Sequence, residues 1–563
     1  MNKHLFISIY LISIIFAVDG HFINPIINGA HPDPSICRVG EDYYIVNSSF
    51  EYFPGLPIHH STDLVNWKLI GYGLHREDQC DGKMNLIDVQ SDGGIHAPTI
   101  RYNNGTFYII TTNVYSPGDK LPGEMRNFII TAKDPSGPWS EPHIIEDAPG
   151  IDPDIFFDDN GKVYFTGTHG PGDMNANGIG EIWIQELDLK NWKLVGKRYS
   201  VWDGVSGCCT EGPHIYKENG LYYLLVAEGG TGKNHAVMIA ASKEIFGPYE
   251  ENPRNPILTS RHLSNEYFVN STGHADIIEL PDGRWYMVSL GKRNDLDGDA
   301  NMGRETYLIP VVWEPTIIKW EQVSETKWEP VRYLFPVAAP LTGKVERITP
   351  LPYYDKPQYI NNTFIDDFKD DKLNLEWTFI RVPHKRTYTL LGNPGYLRLF
   401  SNLNNIENRK RFSMMGFRQK ESDFDYEVKM TFSPNDDKVE SGVIHYQKEW
   451  NYLTSVVYKM NKKFYLEQKF KKKDKKVISL KKVLLKNYQG SIIFKIVSRK
   501  DSYTFNYSLD NGKNFNYFTS TDAIKVLDRN YTGALLGIFS TSNGKISRDY
   551  ADFDWVRYKD FIR

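Results

Sequence analysis

The sequence predicts an all-β protein: a five-bladed β-propeller followed by a β-sandwich. Three observations carry this. The first half holds a fivefold repeat, a proline-rich stretch breaks the pattern after about residue 330, and alternating apolar and polar runs then continue to the C-terminus. A length of 563 residues calls for more than one domain, which agrees with that division. The expected order is a leader over 1–20, the propeller over 21–330, a connector over 331–362 and the sandwich over 363–563.

The leader is expected from Lys3, the apolar run Leu5 to Val18 and the small residues Val18 and Gly20 at the cleavage positions. The run is too short to span a bilayer. The mature chain is therefore expected to be secreted, with no membrane attachment once the leader is removed. Six N-x-S/T sequons, at Asn47, Asn104, Asn270, Asn361, Asn506 and Asn530, make it a candidate glycoprotein. Asn47 sits in a strongly strand-like run and is expected to be buried. Four cysteines, Cys37, Cys80, Cys208 and Cys209, are too few for a disulfide scaffold, and none is spaced for zinc. The adjacent pair can bond to itself or pair with the other two. A formal net charge of -4 offers no basic surface for a nucleic-acid partner. The basic run near Lys471 to Lys476 reads as a solvated hairpin.

The five repeats begin HPDPSICRVGEDYYIV at His31, IHAPTIRYNNGTFYII at Ile95, IDPDIFFDDNGKVYF at Ile151, TEGPHIYKENGLYYLL at Thr210 and GHADIIELPDGRWYMV at Gly273. Each is a strand, a turn rich in Gly, Asn and Asp, and a second strand opening with aromatics, the signature of a β-hairpin. The aligned residues Tyr44, Tyr108, Tyr164, Tyr223 and Tyr286 are 64, 56, 59 and 63 residues apart. Further strand signals fall between the hairpins, and four strands at this period make a propeller blade. The residue 11 or 12 positions before each aligned Tyr is ionisable: Asp33, His96, Asp152, Glu211 and His274. Equivalent positions on five blades converge on one axis. Five such groups around one axis are costly unless they serve chemistry or hold an ion.

Three carboxyls and two imidazoles suit metal-assisted hydrolysis or acid–base glycoside cleavage. No HExxH motif supports zinc. Glycoside cleavage needs one protonated and one ionised carboxyl across the scissile bond, about 6.5–9.5 Å apart when the configuration inverts. A third carboxylate near the acid would keep it protonated by like-charge repulsion.

These motifs carry a resemblance. NPIINGAHPDPSICRVGEDYYIVNSSFEYFPGLP, GGIHAPTIRY, GIDPDIFFDDNGKVYF, TEGPHIYKENGLYYLLVAEGGT, STGHADIIEL and MGRETYLIPVVW resemble glycoside hydrolase family 43, the β-xylosidase and α-L-arabinofuranosidase family, from about Asn24 to Trp313. The resemblance implies Asp33 as general base, Glu211 as general acid, and Asp152 as the residue that tunes the acid and orients substrate. It implies that Arg304 contacts sugar hydroxyls and the helper Asp152, and that His274 lies at the propeller centre as a candidate calcium ligand. No cofactor is required. A structural Ca2+ is the one ion implied, and calcium prefers oxygen ligands, so waters would complete its shell. Phe50, Tyr52 and His96 are candidate substrate-binding residues of the pocket wall. His96 stands where many xylosidases of the family carry an aromatic, often Trp, and Ala30 where Phe is common. Both departures bear on the sugar preferred.

Beyond residue 363, runs such as YEVKMTFSP, SGVIHYQKE, YLTSVVYKM and GALLGIFSTS alternate apolar and polar residues, and ADFDWVRY is expected to return onto the opening strand. This half resembles the concanavalin-like domain that follows family 43 propellers, where it braces the propeller and narrows the pocket. Asp367 and Asp554 are candidate ligands for a structural calcium, with exposed strand-end aspartates as the plainer expectation.

The expected function is a secreted, inverting exo-glycosidase acting on xylan-derived oligosaccharides or arabinoxylan, with β-xylosidase first and α-L-arabinofuranosidase second. A non-catalytic glycan-binding protein is the alternative of another class, and retention of all three acids argues against it. A retaining fructan or sucrose hydrolase would carry an NDPNG-type sequence where HPDPS stands.

Overall fold

The computed structural model describes residues 20–562 apart from 81, 119–122, 174, 176–177, 206–207, 500 and 530. The expected leader, Gly20 excepted, and the sequon Asn530 lie outside the described residues. No described helix is long and apolar enough to cross a membrane.

Five antiparallel sheets, each a four-stranded meander and the fourth with one short extra strand, Leu258–Thr259, form the first domain. Their innermost strands are Ser35–Val39, Gly94–Asn103, Asp154–Phe157, Glu211–Glu218 and Val269–Glu279, in blade order. Each pairs with the strand that opens with the repeated aromatics, as Cys37 with Tyr44 and Tyr216 with Tyr223. Short Gly-bearing turns set that register. The ring is closed by the N-terminal segment. His21–Ile23 pairs with Ile348–Pro350, and the Asn24 side chain both donates to the Leu308 carbonyl and accepts from the Leu308 amide, each at 3.0 Å. The last strand of the fifth blade runs Lys327–Ala338, past the expected domain end at 330, so the connector begins after Ala338.

The second domain is two packed antiparallel sheets of eight and six strands. Tyr550–Asp560 returns onto Thr363–Asp366, with Phe364 opposite Tyr558. Asp367 bonds Lys369 and Asp554 bonds Lys429, so the two aspartates that were candidate calcium ligands each pair with a different lysine.

The domains share a core. Ile58, Ile95 and Phe128 of the propeller belong to one buried cluster with Phe379, Met415, Phe417 and Val443 of the sandwich. Two glycines permit the closest approach. Gly303 has φ +71°, and a Cβ on it would lie 2.8 Å from the Gly533 nitrogen, while a Cβ on Gly533 would lie 2.2 Å from the Met302 oxygen. Any larger residue at either position would push the sandwich loop 531–534 off the propeller face.

Candidate active site

Each innermost strand is entered through a residue in the left-handed region: Asp33 at φ 52°, Ala97 at 29°, Asp152 at 55°, Gly212 at 58° and His274 at 46°. Pro34, Pro98, Pro153, Pro213 and Ala275 follow them. This is the true register of the five blades. His96 and Glu211 stand one residue earlier than the other three ionisable groups, and the ladder shifts after each of them, between His96 and Thr99 and between Glu211 and His214. An extra residue at a strand entrance re-aims a side chain, and non-glycine residues held at positive φ collect at functional sites.

The Asp33 turn is fixed from beneath. Buried Asn47 donates from Nδ2 to the carbonyls of His31 and Pro32 and to Thr306 Oγ1, at 3.0–3.1 Å. That engagement leaves the Asn47 sequon no amide free for a glycan. Ser48 Oγ donates to Asp33 Oδ2 at 2.6 Å and accepts from the Ala97 amide at 2.7 Å, tying the first blade to the second. Arg304 places Nη1 2.8 Å from Asp33 Oδ1 and donates from Nε to the Tyr531 carbonyl at 3.1 Å. The expected partner of Arg304 was Asp152; its ion pair is instead with Asp33. The reason is geometric, since His31, two residues before Asp33, donates its amide to the Arg304 carbonyl, so the two backbones run side by side.

The three carboxyls act on one another and divide into two kinds. Burial works to raise the Asp33 pKa, but Arg304, His274 and the Ser48 hydroxyl outweigh it and hold the carboxyl below its usual value. Burial raises Glu211 to about 7, reinforced by the Asp33 charge. Burial and the neighbouring Glu211 raise Asp152 well above the carboxylate range, against a hydrogen bond from the Gly212 amide. Glu211 and Asp152 thus both keep a proton more readily than an isolated carboxylate does. Asp33 and Asp152 are buried, whereas Glu211 keeps partial exposure and can reach a bound molecule.

Phe50, His96 and Tyr531 form the wall. The Phe50 and His96 rings meet edge to face at 4.9 Å, and Tyr531 stacks on Phe50 at 6.1 Å. The Arg304 guanidinium lies 5.1 Å from the Tyr531 ring centre. Tyr531 comes from the sandwich and no propeller repeat could reveal it; the only available signal was the tendency of such a domain to narrow the pocket. Tyr52 does not join the wall. It is 2% exposed, packs with Ile380, Met414 and Tyr446, and sits in the strand Tyr52–Phe53 that pairs with the sandwich. The Ile380 pairing fixes its backbone there.

A second polar layer lies two residues further along each innermost strand: Ser35, Thr99, Asp154, His214 and Asp276. Arg101 is its cation, with Nη1 2.8 Å from Asp276 and Nη2 3.0 Å from both Asp154 and His214 Nδ1. Ser35 and Tyr216 hydroxyls also donate to Asp276, at 2.7 and 2.5 Å. These contacts bear on calcium at His274. Burial lowers the His274 pKa to about 4, leaving a neutral imidazole, and the nearby carboxylate oxygens are engaged by Arg304 and Arg101. Among the described residues no group of three or more His, Cys, Asp or Glu has a metal-holding arrangement. The side chains around His274 therefore supply no oxygen cage for calcium.

The profile of "Glycosyl hydrolases family 43" matches residues 22–316, and that of "Beta xylosidase C-terminal Concanavalin A-like domain" matches 365–559. A "Xylosidase/arabinosidase" of Butyrivibrio fibrisolvens is 39% identical over 94% of this chain and 98% of its own. The "Non-reducing end alpha-L-arabinofuranosidase BoGH43B" of Bacteroides ovatus is 35% identical over 96% and 94%. Among solved structures, the xylan beta-1,4-xylosidase from Bacillus halodurans C-125 superposes with a TM-score of 0.84 at 29% identity, covering 96% of this chain and all of that one. The chain belongs to glycoside hydrolase family 43 and is a glycoside hydrolase of the β-xylosidase or α-L-arabinofuranosidase kind, an all-β propeller followed by a concanavalin-like sandwich.

Proposed function

We propose that this family 43 chain is a secreted, inverting β-xylosidase that removes terminal xylose from xylan-derived oligosaccharides. Asp33 acts as general base, Glu211 as general acid, and Asp152 is the helper carboxyl beside the acid. The observation that carries the reading is the split among the carboxyls: the one guanidinium at the site pairs with Asp33, and the other two share the raised affinity for a proton.

In the reaction, Asp33 takes a proton from water as its oxygen attacks the anomeric carbon. Glu211 gives its proton to the departing glycosidic oxygen on the opposite side. The bond to the leaving group breaks, the configuration inverts, and the two carboxyls exchange protons with solvent before the next turnover. Phe50 and Tyr531 offer apolar faces to the sugar. His96 Nε2 faces the Asp92 carbonyl at 2.9 Å, and burial lowers its pKa to about 4, so a neutral ring would keep Nδ1 as an acceptor for a hydroxyl. Secretion is supported by the leader pattern at the N-terminus.

Removal of terminal arabinofuranose is the second reading. His96 favours it by replacing a broad stacking surface with a polar ring, and the names of two relatives include arabinose. Sugar release from xylobiose and from arabinoxylan, measured beside Glu211→Ala, separates the two. Xylose from xylobiose, lost in the variant, is the expected result. Arabinose alone would select the second reading, and no release of either sugar would defeat both.

A further inference from the structure

Cys208 and Cys209 are neighbours in sequence, and their sulfurs face each other at 2.7 Å. Cys208 is exposed and Cys209 half-buried, whereas Cys37 and Cys80 are buried. Cys209 holds a positive φ of 60°. The pair lies just upstream of Glu211, in a turn held, among the described residues, by hydrogen bonds. The Gly229 amide donates to the Cys208 carbonyl at 3.1 Å, Thr210 Oγ1 to the Asp203 carbonyl at 2.8 Å, and the Val205 amide to Glu228 at 2.5 Å. Thr168 reaches across from the third blade to the Thr210 carbonyl at 2.8 Å. The dithiol is thus accessible from solvent and built into the peptide that aims Glu211.

We propose that Cys208 and Cys209 form a redox-modification site that closes to a vicinal disulfide by exchange with a low-molecular-weight disulfide, and that its state sets the placement of Glu211. One thiolate attacks a sulfur of the reagent and releases a thiol. The neighbouring thiolate then attacks the mixed disulfide and releases the second thiol, so two electrons pass from the cysteine pair to the reagent. Adjacent Cα atoms are about 3.8 Å apart, closer than the usual spacing across a disulfide, so the closed ring is strained and easily reduced. Strained and exposed disulfides are the labile, regulatory kind. Closure adds a covalent clamp to a turn held only by hydrogen bonds, so the oxidised protein carries the better-placed acid. Cys37 and Cys80 are buried and out of reach of the same reagent.

The test treats the full chain with glutathione disulfide and follows intact mass, thiol count and kinetics. The expected product has lost the mass of two hydrogens and two titratable thiols, with both losses mapped to the peptide holding Cys208 and Cys209. Phenylarsine oxide, a reagent for paired thiols, should add to the reduced protein and not to the oxidised one. kcat on xylobiose should fall by ~3-fold or more on reduction, with a shift of the alkaline limb of the pH profile. Cys208→Ser should keep the kcat of the reduced form and be unable to close, taking up at most one glutathione at Cys209. Retention of all four thiols after treatment would overturn the site. Closure with an unchanged kcat and pH profile would overturn the link to Glu211, which alone rests on reading Glu211 as the acid. The mass and thiol readouts stand apart from that reading.

Discussion

Two layers of polar side chains stack along the propeller axis, and they are built on opposite plans. The lower layer pairs each of its carboxylates with its cation. Arg101 lies between Asp154 and Asp276, and hydroxyls and backbone amides satisfy the remaining oxygens. The upper layer does not. Three carboxyls face one guanidinium, and that guanidinium is committed to Asp33. The same fold positions both layers, at strand entrances and two residues on. The difference teaches that the axis can carry a cluster in which every carboxylate has its cation where only stability is needed. The surplus acid above it is therefore the part to read as chemistry.

The comparison breaks most sharply if the upper acids are exchanged for amides. Glu211→Gln is expected to lower kcat on xylobiose by roughly 10²–10⁴-fold, and by less on an aryl xyloside whose leaving group needs no proton. Equal losses on both substrates would remove Glu211 from the acid role. Asp33→Asn should lose activity on both.

The next largest effect belongs to the lower layer and falls on stability. Arg101→Met leaves two buried carboxylates without a counter-charge and is expected to cost about 3–5 kcal/mol, read from the denaturant midpoint. If the midpoint does not move, Arg101 is not the counter-charge that holds the lower layer together.

pH sharpens the contrast. Glu211 is raised to about 7, so the acid is available below that pH and lost above it; kcat/KM should fall on the alkaline side near pH 7. Asp33 is lowered, so the base stays ionised below the usual carboxylate range and the acid limb moves down. The stability sign follows for Glu211. A carboxyl whose folded pKa is raised contributes fully below its unfolded value and loses that contribution as pH rises through the folded one. Glu211→Gln should therefore stabilise the protein at pH 8 relative to the parent and change little at pH 4. The reverse order would contradict the raised pKa.

The smallest effect is at the wall. Tyr531→Ala removes an aromatic face over Arg304 and beside Phe50, and a rise in KM of about 3–10-fold with a smaller change in kcat is expected from steady-state kinetics.

Much of this site was legible before any coordinates. The repeat placed Asp33, Asp152 and Glu211 at strand entrances because a period fixes which residues occupy equivalent positions on successive blades. It did not separate the true register from its neighbour, since one inserted residue at His96 and at Glu211 leaves the spacing to the aligned tyrosines within a residue. It could not show that Tyr52 turns into the sandwich, because aromatics of the pocket and of the core look alike in a strand. Tyr531 and the contact between Gly303 and Gly533 depend on packing of a domain outside the repeat. Arg101 stood in the quoted GGIHAPTIRY motif, yet its role emerges only when three blades bring carboxylates and an imidazole to one guanidinium.

The most direct test of the surplus acids as an inverting base and acid is the anomer released first. Proton NMR of xylobiose hydrolysis, recorded before mutarotation, should show α-xylose appearing ahead of β-xylose from the non-reducing end. β-Xylose appearing first would mean a retained configuration, and Asp33 could not then be activating water across from Glu211.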